Sequence, residues 1–142
     1  MTVPASASSS TFALLHRGGL TEASMLLEVG CGALRFARLA IPFLLPGHYA
    51  CIEPQPKLVD AGFRFELGYD ILLRKRPRFA HNAVFQPPPD SSDPIERGAT
   101  VSNSKYDIML AQSIFTHTAA DMLELAIKRL IPHLADTGAR HR

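Results

Sequence analysis

The sequence predicts an α/β fold built on a mostly parallel sheet, and three observations predict it. Short apolar runs at residues 24–29, 48–52, 79–85 and 106–112 alternate with stretches of helical periodicity, which is the order that successive βαβ units produce. The first run, Met25-Leu26-Leu27-Glu28-Val29, breaks at Gly30-Cys31-Gly32 straight into a helical pattern. The second, His48-Tyr49-Ala50-Cys51-Ile52, ends in Glu53-Pro54, about 20 residues beyond the glycines. A tight glycine turn there directs backbone N–H groups and the positive end of a helix past the carboxyl end of the strand.

Taken in order, residues 1–18 form a lead that is disordered or helical. Residues 1–10 are small and polar and expected to be disordered, and a helical turn over 11–17 ends at Gly18-Gly19. The first strand covers 24–29. A crossover helix over 34–45 carries Leu34, Phe36, Leu39, Ile41, Leu44 and Leu45, and Pro42 should loosen its last turn. Pro46-Gly47 is a turn, residues 48–52 are the second strand, and Pro54 and Pro56 stop that strand and suit a helix start. A second helix over 57–66 and a short one over 70–75 lead into the basic run Arg74-Lys75-Arg76-Pro77-Arg78, read as a solvated face. Residues 79–85 are the third strand, interrupted at His81-Asn82. Three consecutive prolines and a Ser/Asp/Gly-rich tract make 86–105 a long surface loop. Residues 106–112 are the fourth strand. Thr118-Ala119-Ala120-Asp121 then opens a helix over 119–131, with Met122, Leu123, Ala126, Leu130 and Leu134 at near-helical spacing.

At 142 residues the chain is one domain, spanning 19–142 after its lead, with 46% apolar and 20% charged residues. A net charge of +2 gives no argument for a nucleic-acid partner. Cys31 and Cys51 lack the spacing of a metal site and are read as reduced, structural thiols of a cytoplasmic protein. No apolar run approaches the roughly 18 residues of a membrane span, and the N-terminal stretch does not read as a signal peptide.

The glycines do not complete a dinucleotide fingerprint, because Arg35 stands where G-x-G-x-x-G requires its last glycine. Leu27-Glu28-Val29-Gly30-Cys31-Gly32 instead resembles motif I of the class I S-adenosylmethionine (SAM) dependent methyltransferases, with Leu34 at a position where that family often has a third glycine. Residues 49–54, Tyr106-Asp107-Ile108-Met109-Leu110-Ala111-Gln112-Ser113 and Ile114-Phe115-Thr116-His117 extend the resemblance over roughly 19–138. It implies a Rossmann-like three-layer sandwich with strand order 3-2-1-4. It also implies that the C-terminal strands of a complete domain are missing, so that the fourth strand is an exposed edge through which a homodimer would form.

The resemblance further implies SAM as cofactor and methyl transfer to a small molecule, protein or nucleic acid. Gly30, Cys31 and Gly32 would bring bare backbone against the methionine part of the cofactor. Glu28 would orient its amino group, and Glu53, next to Pro54, would accept both ribose hydroxyls. Asn82 and Ala83 occupy the region where many relatives keep an acidic residue for the adenine, and Asn82 is the substitute. Arg35 reads equally as a partner for the cofactor's carboxylate or as a solvated helix charge. Gln112 and Ser113 would line the cofactor edge or are ordinary loop residues. His117 is the candidate base, against the commoner role of a packing residue beside a helix cap. The alternatives are an inactive SAM-binding or dimerising interaction module and, less favoured, a NAD-dependent oxidoreductase.

Overall fold

Four short strands form one parallel sheet in the order β3-β2-β1-β4: β1 (Leu26–Val29), β2 (Tyr49–Ile52), β3 (Arg78–Ala80) and β4 (Ile108–Ala111). The structure is a computed structural model and describes residues 5–90, 104–111 and 120–136. Every residue of β1 and β2 is buried, as expected of central strands covered on both faces. The helices are α1 (Ala5–Arg17), α2 (Ala37–Phe43), α3 (Pro56–Gly62), α4 (Ile71–Lys75) and α5 (Ala120–Leu130).

Strand alternation sorts the core into two layers. Leu26, Tyr49 and Cys51 face α2, α3 and α4 and join Leu34, Phe36, Ala37, Ala40, Ile41, Val59, Phe63 and Ile71. Leu27, Val29, Ala50 and Ile52 face the other way, where Phe85, Tyr106, Ala126 and Leu130 cover them. The result is the expected three-layer α/β/α sandwich with the expected strand order.

Several local expectations are corrected. Residues 5–10 are not disordered but form the first turns of a 13-residue helix, α1. Phe12 and Leu15 anchor that helix to the core, with Phe12 edge-on to Phe43 at 5.2 Å between ring centroids. The crossover helix begins at Ala37, because residues 32–36 are spent on the turn leaving β1. The second helix continues past Gly62 as a π-helical turn, Phe63–Leu67, which presents Phe63 edge-on to Phe79 at 5.5 Å. The third strand is three residues long, since the chain turns away at His81.

The reduced-thiol expectation is also overturned: Cys31 and Cys51 form a disulfide. The turn after β1 folds back toward β2 and brings two residues 20 apart in sequence to a Cα–Cα distance of 6.2 Å. The outer side of β4 is paired at its base, where Tyr106 N–H donates to His133 O and Ala135 N–H donates to Tyr106 O. Along Ile108–Ala111 no strand lies outside β4 among the described residues. No helix among those residues is long and apolar enough to cross a membrane, and no cluster of His, Cys, Asp or Glu among them is fit to hold a metal.

Candidate functional site

The site is built at the carboxyl ends of β1 and β2. Gly30 N–H donates to Ile52 O at 2.8 Å, carrying the sheet ladder one residue past β1 before the chain turns. Gly30, Gly32 and Leu34 have φ of 83°, 52° and 64°, so alternate residues of the turn occupy the left-handed region. A Cβ added at Gly32 would meet nothing within 4 Å, so glycine is required there by the backbone angle, and open space faces the turn. Leu34 takes the conformation that a glycine would take more easily. Complete burial of its side chain holds it there, together with α3, whose Gly62 lies so close that a Cβ would fall 2.5 Å from Leu34 Cγ and 2.6 Å from Ala33 O.

Glu53 closes the turn from the β2 side. Its Oε1 accepts from Gly32 N–H at 3.0 Å and its Oε2 from Gln55 N–H at 2.9 Å, which fixes the carboxylate plane beside the turn. Each oxygen retains a lone pair for a further donor. The backbone of Glu53 is tied to the end of β3, with its N–H donating to Ala80 O and its carbonyl 2.8 Å from His81 Nδ1. Glu28 lies on the α2 face of the sheet and accepts a hydrogen bond from Tyr49 Oη at 2.7 Å. Burial pushes the Glu28 carboxyl up to about 7; the Tyr49 hydrogen bond opposes that rise and the charge of Glu53 adds to it. Burial and the Glu28 charge together push the Tyr49 phenol well above its ordinary value.

On the α5 face lies a cavity of about 150 Å³ lined by Val29, Ile52, Pro54, Asn82, Ala83, Phe85 and Met122. Apolar cavities of about that size accommodate a single benzene-like ring. Phe85 forms part of the wall with φ of 58°, an unusual angle for a bulky residue. Asn82 holds the loop in that shape: its Oδ1 accepts from Val84 N–H and Gln86 N–H, and its Nδ2 donates to Gln86 O.

Gly30, Cys31, Gly32, Glu53 and Pro54 therefore come together at the carboxyl ends of β1 and β2, Pro54 also lines the cavity, and Glu28 lies on the opposite side of the sheet from the cavity. Arg35 is half-buried within the 32–36 turn. Asn82 lines the cavity, but its amide is committed to its own loop. Gln112, Ser113 and His117 lie outside the described residues. The residues that sequence reasoning passed over are Tyr49, Phe85 and Met122. Period-two alternation from Glu53 back through Cys51 to Tyr49 held the signal for Tyr49, whereas the strained backbone of Phe85 left none.

The fold is similar to that of magnesium protoporphyrin IX methyltransferase (ChlM) from Synechocystis PCC 6803. With bound SAH that structure gives a TM-score of 0.64 at 15% identity, over 92% of this chain and 51% of that chain. With bound SAM the values are 0.62 and 16%, over 92% and 54%. YjhP from E. coli is similar at a TM-score of 0.57 and 16% identity, over 89% of this chain and 44% of that chain. The likeness shows a class I methyltransferase-like fold, and the chain spans about half the length of these structures. No protein-family model matches the sequence, and no curated protein does.

Proposed function

We propose that the chain binds S-adenosylmethionine and serves a methyl transfer from it to an acceptor. The observation that carries this reading is the hydrogen bond of Gly32 N–H to the Glu53 carboxylate at the ends of β1 and β2, beside Pro54, which lines an apolar cavity of ring size. The donor set fits the cofactor. Open space at Gly32 admits the methionine portion against bare backbone, the two Glu53 oxygens match a vicinal diol, and Val29, Ile52, Pro54 and Phe85 suit a flat purine. ChlM, crystallised with SAM and with SAH, has the same fold and lends further support.

When bound, the cofactor supplies an electrophilic methyl on a sulfonium sulfur. The residues of this chain bind and orient. Glu53 would accept the ribose hydroxyls, and the two backbone hydrogen bonds that keep its carboxylate from rotating would hold the bound cofactor in one orientation. Glu28, protonated or ionised near neutrality, turns fully anionic when an ammonium approaches and so orients the amino group of the methionine portion. Asn82 acts through Phe85, by holding the loop that walls the cavity. His117 is the proposed base where the acceptor loses a proton. We assign the cytoplasm as its setting, where a disulfide is a redox-responsive element more often than a permanent staple.

Calorimetric titration of wild type and Glu53→Ala with SAM tests the proposal. Loss of a charged acceptor for two hydroxyls costs about 1.5 to 3 kcal/mol, so the affinity of the variant falls about tenfold or more. Glu53→Gln, which keeps one acceptor for the turn, separates recognition from bracing. Equal affinities for all three proteins contradict the site.

A further inference from the structure

We infer that the Cys31–Cys51 disulfide is a redox switch on the cofactor crevice, an inference that rests on the SAM-binding reading of that crevice. The bridge joins the two segments from which the crevice is made. Cys31 stands between Gly30 and Gly32, and Cys51 lies two residues before Glu53. The Gly32 N–H to Glu53 Oε1 hydrogen bond crosses the same junction, but it is non-covalent and belongs to the proposed binding geometry itself. The disulfide is thus the covalent tie that keeps the turn in register with Glu53.

The turn has reason to move when that tie is cut. It carries three left-handed residues at alternate positions; burial and α3 hold Leu34, so the freedom lies in the glycine segment before it. Above Gly32 nothing packs within 4 Å of the position a Cβ would take, so the ligand side offers the turn no support. With the bridge closed, the turn is held in its binding shape before the ligand arrives. With the bridge open, the turn samples other shapes and the ligand must order it, which lowers the apparent affinity by the fraction of competent molecules.

The chemistry requires a dithiol reductant. Both cysteines are buried, Cys31 at 5% exposed less completely than Cys51, so a local opening of the turn admits a thiolate of the dithiol to Cys31 Sγ, where it forms a mixed disulfide. The Cys51–Cys31 bond breaks, Cys51 leaves as a thiolate and takes up a proton. The second thiol of the dithiol then attacks its own sulfur in the mixed disulfide and releases Cys31, which is protonated in turn. Two electrons and two protons pass to the protein, and the dithiol becomes a cyclic disulfide. Reoxidation by a small disulfide reverses both exchanges.

The test is calorimetric titration of the full chain with SAH in three states: as oxidised, after dithiothreitol, and after reoxidation. Alkylation followed by mass spectrometry counts free thiols, and far-ultraviolet circular dichroism follows the fold. The expected result is two alkylatable thiols after dithiothreitol without denaturant, an unchanged dichroism spectrum, and SAH affinity about tenfold weaker, recovered on reoxidation. Cys51→Ala should bind SAH as the reduced protein does, with or without dithiothreitol. Equal affinity in the oxidised and reduced states overturns the switch and leaves the crevice reading intact. A bridge reduced only on unfolding, or an affinity lost and not recovered, overturns it as well. If neither state binds SAH, the crevice reading fails and takes the switch with it.

Discussion

Gly62 and Leu34 lock together by a contact that tolerates no added atom. Gly62→Ala forces a Cβ to within 2.6 Å of a backbone oxygen in the glycine turn, so that turn must shift. The expected cost is about 1 to 3 kcal/mol in urea unfolding, with weaker SAM binding, because the strain lands on the site. Unchanged stability would show that α3 yields instead. Glu28 gives a second test at this scale. It ionises near 4.5 when unfolded and near 7 in the fold, so between those values the folded chain holds an extra proton. Stability from this group is therefore fully present below about pH 4.5 and is lost as pH rises through 7, by about 3 kcal/mol in all. Glu28→Gln keeps an acceptor for Tyr49 and should flatten this part of the stability–pH curve, measured by denaturant unfolding from pH 4.5 to 8. An unaltered curve would mean that Glu28 is not the group responsible.

The elements differ in how they are held. The sheet and the helices on its α2 face share one continuous core, whereas α1 rests on it through Phe12, Leu15 and the ring contacts of Phe12 and His16. Phe12→Ala should cost about 1 to 3 kcal/mol and expose α1 to limited proteolysis while the rest of the chain resists. Loss of resistance throughout would make α1 integral to the core. On α5, by contrast, Lys128 and Glu124 form an exposed pair at 2.9 Å, and Glu124→Ala should alter stability by less than about 0.5 kcal/mol in the same unfolding assay. The strands and most helices were legible as apolar periodicity. Their limits shifted where tertiary packing decided them: Phe12 and Leu15 recruit small polar residues into α1, and the turn takes the first residues of the crossover helix.

For the molecule as a whole, strand order 3-2-1-4 was legible through the family resemblance that the glycine turn and the strand-terminal Glu carry, and the sheet has that order. The approach of Gly32 to Glu53 follows from that topology. The disulfide and the left-handed Phe85 do not, because they depend on how the turn and loop settle against neighbouring elements, whereas the left-handed Leu34 was hinted at by the glycine that the resembling family often has there. The central claim is that the bend after β1 and the carboxylate after β2 form one binding crevice with the cavity behind Phe85. Amide chemical-shift mapping of the labelled chain during SAH titration tests it most directly. The account predicts saturable shifts largest at Gly30, Gly32, Glu53 and Ala83, with smaller ones elsewhere in the chain. Shifts confined to other surfaces, or none at saturating SAH, would contradict it.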